Sequence, residues 1–505
     1  MYKEGKSIFI IMIITLLSRS LGFIRQIILA YIHGTTGFTD AYLMSTMIPV
    51  VIFSSIGIAL KIVFIPLYTS ISKKSEEKGM KFTNNIINSV FLITIIMTLN
   101  GLIFTEKIVN IFAKGFNEEI LKLTIEFTRI LFPGVIIIGI NFILMGFLNA
   151  NKNFSIPTFV KIPNNIIIII SLFFSIYDFK ILIYGSLLGS FIQMVILLYF
   201  SYKKGYRYKF VLNFKDEIMH KMIYLVTPVF IGTSVNQLNV IIDRSLASSL
   251  TRGSISALNF AEKLNSFVFA VFAASLITVI YPKLSEVSLK ENEKEFKECI
   301  INSINILFIL LIPITIGAMV LSMPIVKFLF QRGEFDISST VMTSEALFYY
   351  SIGIVGFGLR NFLSKVFYSL KDTKTPLING VLTVFINVGL NFLLIKSMAH
   401  KGLALATSLS TIVGVLLLSL SLKRKVGSLN EKKIFKKFFM VILASIPMGV
   451  FIMYVNNIFI IDGFNLILTI FLGAFIYLVT IIIMGFKEIN ILFSFAKRYI
   501  KNKSL

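Results

Sequence analysis

The chain is a succession of apolar runs, each about twenty residues or longer, parted by short polar loops. A bilayer core about 30 Å thick takes about 20 residues of α-helix to cross. Only helices and closed barrels satisfy their own backbone there. Runs of this length specify helices. About fourteen spans are expected, near 8–32, 38–70, 84–106, 124–149, 156–176, 180–202, 220–250, 256–282, 300–323, 340–369, 376–396, 402–422, 435–456 and 463–486. The expected fold class is an all-α polytopic membrane protein. Several runs exceed what the bilayer needs, which predicts tilt or breaks.

Charge fits the same reading. Of 505 residues, 56% are hydrophobic and 15% charged, with a formal net charge of +24. The basic residues sit mainly in short loops between spans, which argues for orientation in a membrane and against nucleic acid as a partner. Lys73, Lys74, Lys78 and Lys81 mark one side, as do Lys203, Lys204, Arg207 and Lys209, the run from Lys423 to Lys437, and Lys497, Arg498, Lys501 and Lys503. The opposite loops, such as GTTGFTD, TRGS and QRGEFD, are poorer in Lys and Arg. Both termini are thus expected on the cytoplasmic side. One cysteine, Cys299, allows no disulfide framework. No GxxxxGK loop is present, so no ATP-driven step is expected.

The two halves share landmarks at a nearly constant offset. NKNFSIP from Asn151 matches LKDTKTP from Leu370, an offset of 219, and Arg25 plus 219 is Arg244. KIVNIFAKGF from Lys107 matches PIVKFLFQRGEF from Pro324. Six spans per copy give both copies one orientation, the parallel duplication seen in alternating-access transporters. The expected organisation is an N-lobe at 1–216, a C-lobe at 217–425, and two added spans at 426–505.

Charged groups inside the spans are costly and mark function by default. Arg19 and Arg25 lie in the first span, and Ser18, Ser20 and Gly22 offer a local break that would turn both onto one anion. Arg suits bidentate recognition of phosphate or carboxylate. Asp40 and Lys61 lie in the second span, Asp243 and Arg244 in the seventh, Glu262 and Lys263 in the eighth and Arg360 in the tenth. Asn236, Asn239 and Asp243 share a helix face, as do Asn387 and Asn391. Asp243, Asn387, Asn391 and Thr407 offer hard oxygen ligands suited to Na⁺. No other cofactor is expected, and the membrane potential is the alternative energy source.

The opening SRSLGFIRQIILAYIHGTTGFTDAY resembles the signature of the MurJ (MviN) family, lipid II flippases of the MOP superfamily. SISALNFAEKLNSFVFAVFAASLITVIYPKLSE, LFQRGEFD and FYSLKDTKTP are similar to that family as well. Some positions depart from its pattern: Lys263 stands where Arg is usual, Gln26 where Asp is usual, and the second span lacks the early Arg residues. The resemblance implies two six-helix lobes, two extra helices forming a lipid-tail groove, and a monomer. It implies lipid II as partner, flipped across the bacterial cytoplasmic membrane for cell-wall synthesis, with no enzymatic step. By motif, Arg19 and Arg25 would bind the diphosphate or the peptide carboxylates, and Asp40 would act as a gating or orienting acid; as charges within the spans, Lys61, Arg244, Glu262, Lys263 and Arg360 are further candidates for contact with the head group. The alternatives are a flippase for another polyprenyl-diphosphate oligosaccharide, a MATE-like exporter, and a polytopic enzyme acting on lipid-linked sugars.

Overall fold

The computed structural model describes residues 2–289, 292–459, 463–486 and 488, with side chains from residue 11 onward except Asn236. Lys497, Arg498, Lys501 and Lys503 lie outside the described residues, as does the Asn236 side chain. All regular structure among the described residues is helical.

The chain packs into two compact units, residues 1–256 with 332–336, and residues 257–331 with 337–505. The first contains α1 (Tyr2–His33), α2 (Gly37–Ser72), α3 (Glu76–Ile103), α4 (Thr105–Phe112), α5 (Glu118–Leu131), α6 (Gly134–Ala150), α7 (Ser155–Phe159), α8 (Lys161–Phe174), α9 (Lys180–Lys203) and α10 (Glu217–Ser248). After α11 (Ser254–Phe269) and a π-helical stretch at Ala270–Ala274, the second holds α12 (Ser275–Leu289), α13 (Glu293–Val320), α14 (Ser322–Phe330), α15 (Ile337–Ser351), α16 (Ile354–Ser369), α17 (Lys374–Met398), α18 (His400–Val426), α19 (Glu431–Ile458) and α20 (Gly463–Ile483). Packing and repeat therefore divide the chain differently. By repeat, α10 opens the second half at 217. By contact it joins the first unit, because it packs along α2.

Among the described residues, twelve helices are long and apolar enough to cross a membrane, and two bent pairs, each counted as one span, bring the number to fourteen. The pairs are α5–α6, bent by 47°, and α15–α16, bent by 46°. They are the fourth span of each copy. Pro133 explains the first bend, since it lacks the N–H that would continue the helix. The duplication shows in the turns as well: Lys152 and Lys371 both adopt positive φ, at 58° and 59°, 219 residues apart by subtraction. α1, by contrast, runs unbroken through Ser18–Gly22. The expected break there is absent. Gly22 faces α8, where a Cβ on it would meet the Asn165 amide at an ordinary contact distance of 3.8 Å.

Association of helices in lipid depends on tight packing and interhelical hydrogen bonds more than on burial of apolar area. In the first unit α2 is the central element, contacting α3, α5, α6 and α10. Small residues let rings close on the backbone: a Cβ on Gly57 would fall 2.3 Å from the Phe142 ring.

The segment between α9 and α10 is laced to α3 by three buried asparagines. Asn84 donates to the Arg207 carbonyl at 3.0 Å and Asn88 to that of Val211 at 2.9 Å. Asn85 makes a reciprocal pair with the Asn213 backbone, at 2.9 and 2.8 Å. The Tyr206 and Tyr208 hydroxyls donate to Asn84 and Asn88 at 2.7 and 3.0 Å. Burial pushes the Tyr206 hydroxyl well above its usual range of ionisation. The connection leading into α10 is thus a fixed strap down to residue 213.

Candidate functional site

Asp40 sits in the first turn of α2 and is 2% exposed. One carboxylate oxygen accepts the Gly253 N–H at 2.7 Å. The other accepts the Ser256 N–H and hydroxyl, both at 2.8 Å. These donors are the free N–H groups at the start of α11, where negative charge is favoured. Arg244, whose charge acts on Asp40, donates to the Ile255 carbonyl at 3.1 Å. The expected orienting acid therefore orients the chain itself. Both its oxygens are engaged by protein, so it is not a substrate ligand in this conformation.

The surrounding turns close tightly on it. Gly253 has φ of 88°, and a Cβ there would lie 2.4 Å from the Thr35 carbonyl oxygen. Gly34, at φ of 56°, lies so near Glu334 that a Cβ would be 2.2 Å from that carbonyl oxygen. The Glu334 N–H donates to Tyr31 at 3.0 Å. Residues 332–336 belong to the first unit through this contact.

Arg25 lines a cavity of about 250 Å³ within the first unit. Its walls come from α1, α2, α5, α6, α8 and α9, and they include Gln26, Tyr42, Thr46, Asn164, Ser186 and Ser190. Among the described residues lining it, Arg25 is the one charged side chain. Arg19 does not line this cavity; it stands exposed one and a half turns earlier on the continuous α1. Lys61 is half-buried on α2 and feels the charge of Lys161 at the start of α8. Sequence reasoning passed over Lys161, Asn164, Ser186 and Ser190. Each is common in such helices, and only the packing of α8 on α9 and α1 sets them beside one another.

In the second unit Glu262 and Lys263 are half-buried on α11. Arg360 of α16 lies beside two glycines. A Cβ on Gly380 of α17 would be 3.8 Å from its guanidinium, and one on Gly414 of α18 would be 3.6 Å from its Cδ. Asn387, Asn391 and Thr407 form one polar cluster between α17 and α18. Asn391 donates to the Asn387 side chain at 3.1 Å, Asn387 to Ser410 at 3.3 Å, and Ser410 to the Thr407 carbonyl at 3.0 Å. Asp243 belongs to α10 in the first unit, where its carboxylate accepts from Asn239 at 3.1 Å.

The family model for the lipid II flippase MurJ matches residues 29–489. The chain belongs to the MurJ family. A relative from Buchnera aphidicola (subsp. Acyrthosiphon pisum), named "Probable lipid II flippase MurJ", is 30% identical over 96% of this chain and 98% of its own. A Thermotoga maritima chain of the same name is 28% identical, with 94% of this chain and 96% of its own covered. Among solved structures, a lipid II flippase MurJ in an inward closed conformation matches with a TM-score of 0.84 at 29% identity, covering 94% and 98% of the two chains. An inward-facing multidrug MATE transporter of the MOP superfamily shares the fold alone, with a TM-score of 0.65 at 14% identity over 84% and 99%. The MurJ resemblance read from the opening motif is thereby confirmed, and this is a multi-pass membrane protein.

Proposed function

We propose that this protein flips lipid II, an undecaprenyl-diphosphate-linked peptidoglycan precursor, from the inner to the outer leaflet of the bacterial cytoplasmic membrane. The whole-chain likeness to a solved lipid II flippase carries this reading. The chemistry agrees with it. A diphosphate-linked sugar head cannot enter hydrocarbon without replacing its hydration. Arg19, Arg25, Lys61, Lys263 and Arg360 supply fixed positive charge within the spans, and Arg25 does so beside a cavity. The protein is a transporter rather than an enzyme. Positive loops orient both termini to the cytoplasm.

The cycle is reset by an ion gradient or the membrane potential, since one charge moved through 100 mV is worth about 2.3 kcal/mol. For Na⁺, Asn387, Asn391 and Thr407 of the second unit would give neutral oxygens, and their clustering on α17 and α18 fits that donor set.

Complementation of cells depleted of their lipid II flippase tests the assignment. The wild-type gene is expected to restore growth, and the Arg25→Ala gene to fail at equal expression. Failure of the expressed wild-type protein would sink the lipid II assignment. Growth restored in full by both Arg19→Ala and Arg25→Ala would sink the anion site.

A further inference from the structure

Another hollow of the first unit, of about 510 Å³, opens among α4, α5 and α9 and shares no lining residue with the cavity at Arg25. Charges of both signs line it: Lys122, Arg129 and Lys180, with Glu106 and Glu126. Two of the cations are already answered. Lys180 pairs with Glu126 at 2.6 Å, joining α9 to α5, and Lys122 pairs at 2.7 Å with Glu118, which is not part of the lining. Arg129 and Glu106 line the same hollow, yet neither enters an ion pair among the described residues.

Depth tells what kind of molecule can reach these two charges. Arg129 stands 21 residues, by subtraction, from Ala150 at the far end of the bent α5–α6 pair, about 30 Å at 1.5 Å per residue. Lys180 opens α9, 23 residues and about 35 Å from Lys203 at its other end. Ala150 and Lys203 both lead into lysine-bearing loops at the opposite face. The hydrocarbon core is about 30 Å thick, so Arg129 and Lys180 fall at the head-group level of one face. In the orientation proposed above, that face is the outer one. The rest of the lining is Ile125, Ile130 and Tyr184, the last 55% exposed. Tyrosine is favoured at the membrane–water boundary, and isoleucine suits acyl chains. A lipid has a part for each kind of wall, whereas a water-soluble ion has a part for the charges alone.

The signs narrow the lipid. A purely anionic head group would satisfy Arg129 and meet Glu106 with like charge. A head group carrying both a phosphate and an ammonium answers both residues. A primary ammonium fits better than a quaternary one, because it has N–H groups to donate to the carboxylate. We infer that this hollow holds one zwitterionic phospholipid of the outer leaflet. Arg129 takes its phosphate, with Lys180 beside it, and Glu106 takes its primary ammonium. Arg129 lies four residues before Pro133 by subtraction, so the bound lipid braces the outer end of α5 against α4 and α9 next to the α5–α6 bend.

The test is lipid binding to the purified full-length protein in detergent, read by native mass spectrometry. The probes are phosphatidylethanolamine, phosphatidylcholine and phosphatidylglycerol with identical acyl chains. Phosphatidylethanolamine is expected to bind about tenfold more tightly than either of the others. Arg129→Ala and Glu106→Gln are each expected to bring it down to the phosphatidylcholine level, and Glu106→Gln to raise phosphatidylglycerol. Using two variants on different helices means that one poorly folded protein does not decide the matter. Equal binding of the three lipids by the wild-type protein would overturn the inference, as would a preference that survives both substitutions. Tighter binding of phosphatidylglycerol would make the hollow a site for anionic lipid and overturn it too. Displacement of the lipid by an equal concentration of glycerophosphoethanolamine, which has no acyl chains, would assign the hollow to a soluble ligand instead.

Discussion

Two polar regions of the first unit, both sunk among apolar helices, are built on opposite terms. Around Asp40 every strong group is answered: three donors reach its two oxygens, and glycines bring the 33–37, 253–256 and 332–336 backbones into contact. Around Arg25 the helices stand apart and leave a cavity of about 250 Å³ in which it is the one charged side chain among the described lining residues. A satisfied buried network rigidifies, while an unsatisfied one is costly until something fills it. Similar polarity therefore closes a turn in one place and lines a cavity in the other.

The sharpest way to break the comparison is Asp40→Ala. It orphans the Gly253 and Ser256 N–H groups at the start of α11, so a loss of about 3 kcal/mol or more is expected in thermal or denaturant unfolding in detergent. Asp40→Asn keeps one acceptor and is expected to lose less. A destabilisation under about 1 kcal/mol for Asp40→Ala would mean that the clasp holds little. Next in size is Arg25→Ala, with a fall in lipid flipping of at least about tenfold and little change in unfolding midpoint. A large stability loss there would place Arg25 with Asp40 as a structural group.

The strap gives a smaller, local effect. Asn85→Ala removes both bonds to Asn213 and is expected to raise hydrogen exchange of residues 207–213 by about tenfold, with global stability falling about 1–2 kcal/mol. The smallest effect is a pH dependence at the 370–373 turn. Burial acts to raise the Asp372 carboxyl, but bonds from Lys425 and Thr375 outweigh it and hold the group down at about 2. Its folded value lies below its unfolded one of 3.8, so its contribution is full above that pH and lost as pH falls towards 2. Lys425→Met should flatten the fall in unfolding midpoint between pH 4 and pH 2 by a few tenths of a kcal/mol, given the exposed lysine.

Much of this could be read from the chain. Span number, duplication and the presence of charge within the spans follow from apolar length, landmark offset and residue type. The misreadings have one cause. Ser18, Ser20 and Gly22 predict a break in α1, yet the helix packs along α8 without one. For Asp40 the sequence names a gating or orienting acid but not what it orients, because its partners lie more than 200 residues away. Asn84, Asn85 and Asn88 gave no signal, because asparagines near a basic loop are ordinary and their acceptors are backbone carbonyls without sequence identity.

By itself the sequence determined that this chain crosses the membrane about fourteen times, as two copies of one plan, with cationic charge inside. These are properties of length, period and residue charge, each local to a segment. Tertiary structure alone decided that α10 packs with the first unit, and that Asp40 closes a turn while Arg25 lines a cavity. Those outcomes depend on which distant group occupies the other half of each hydrogen bond.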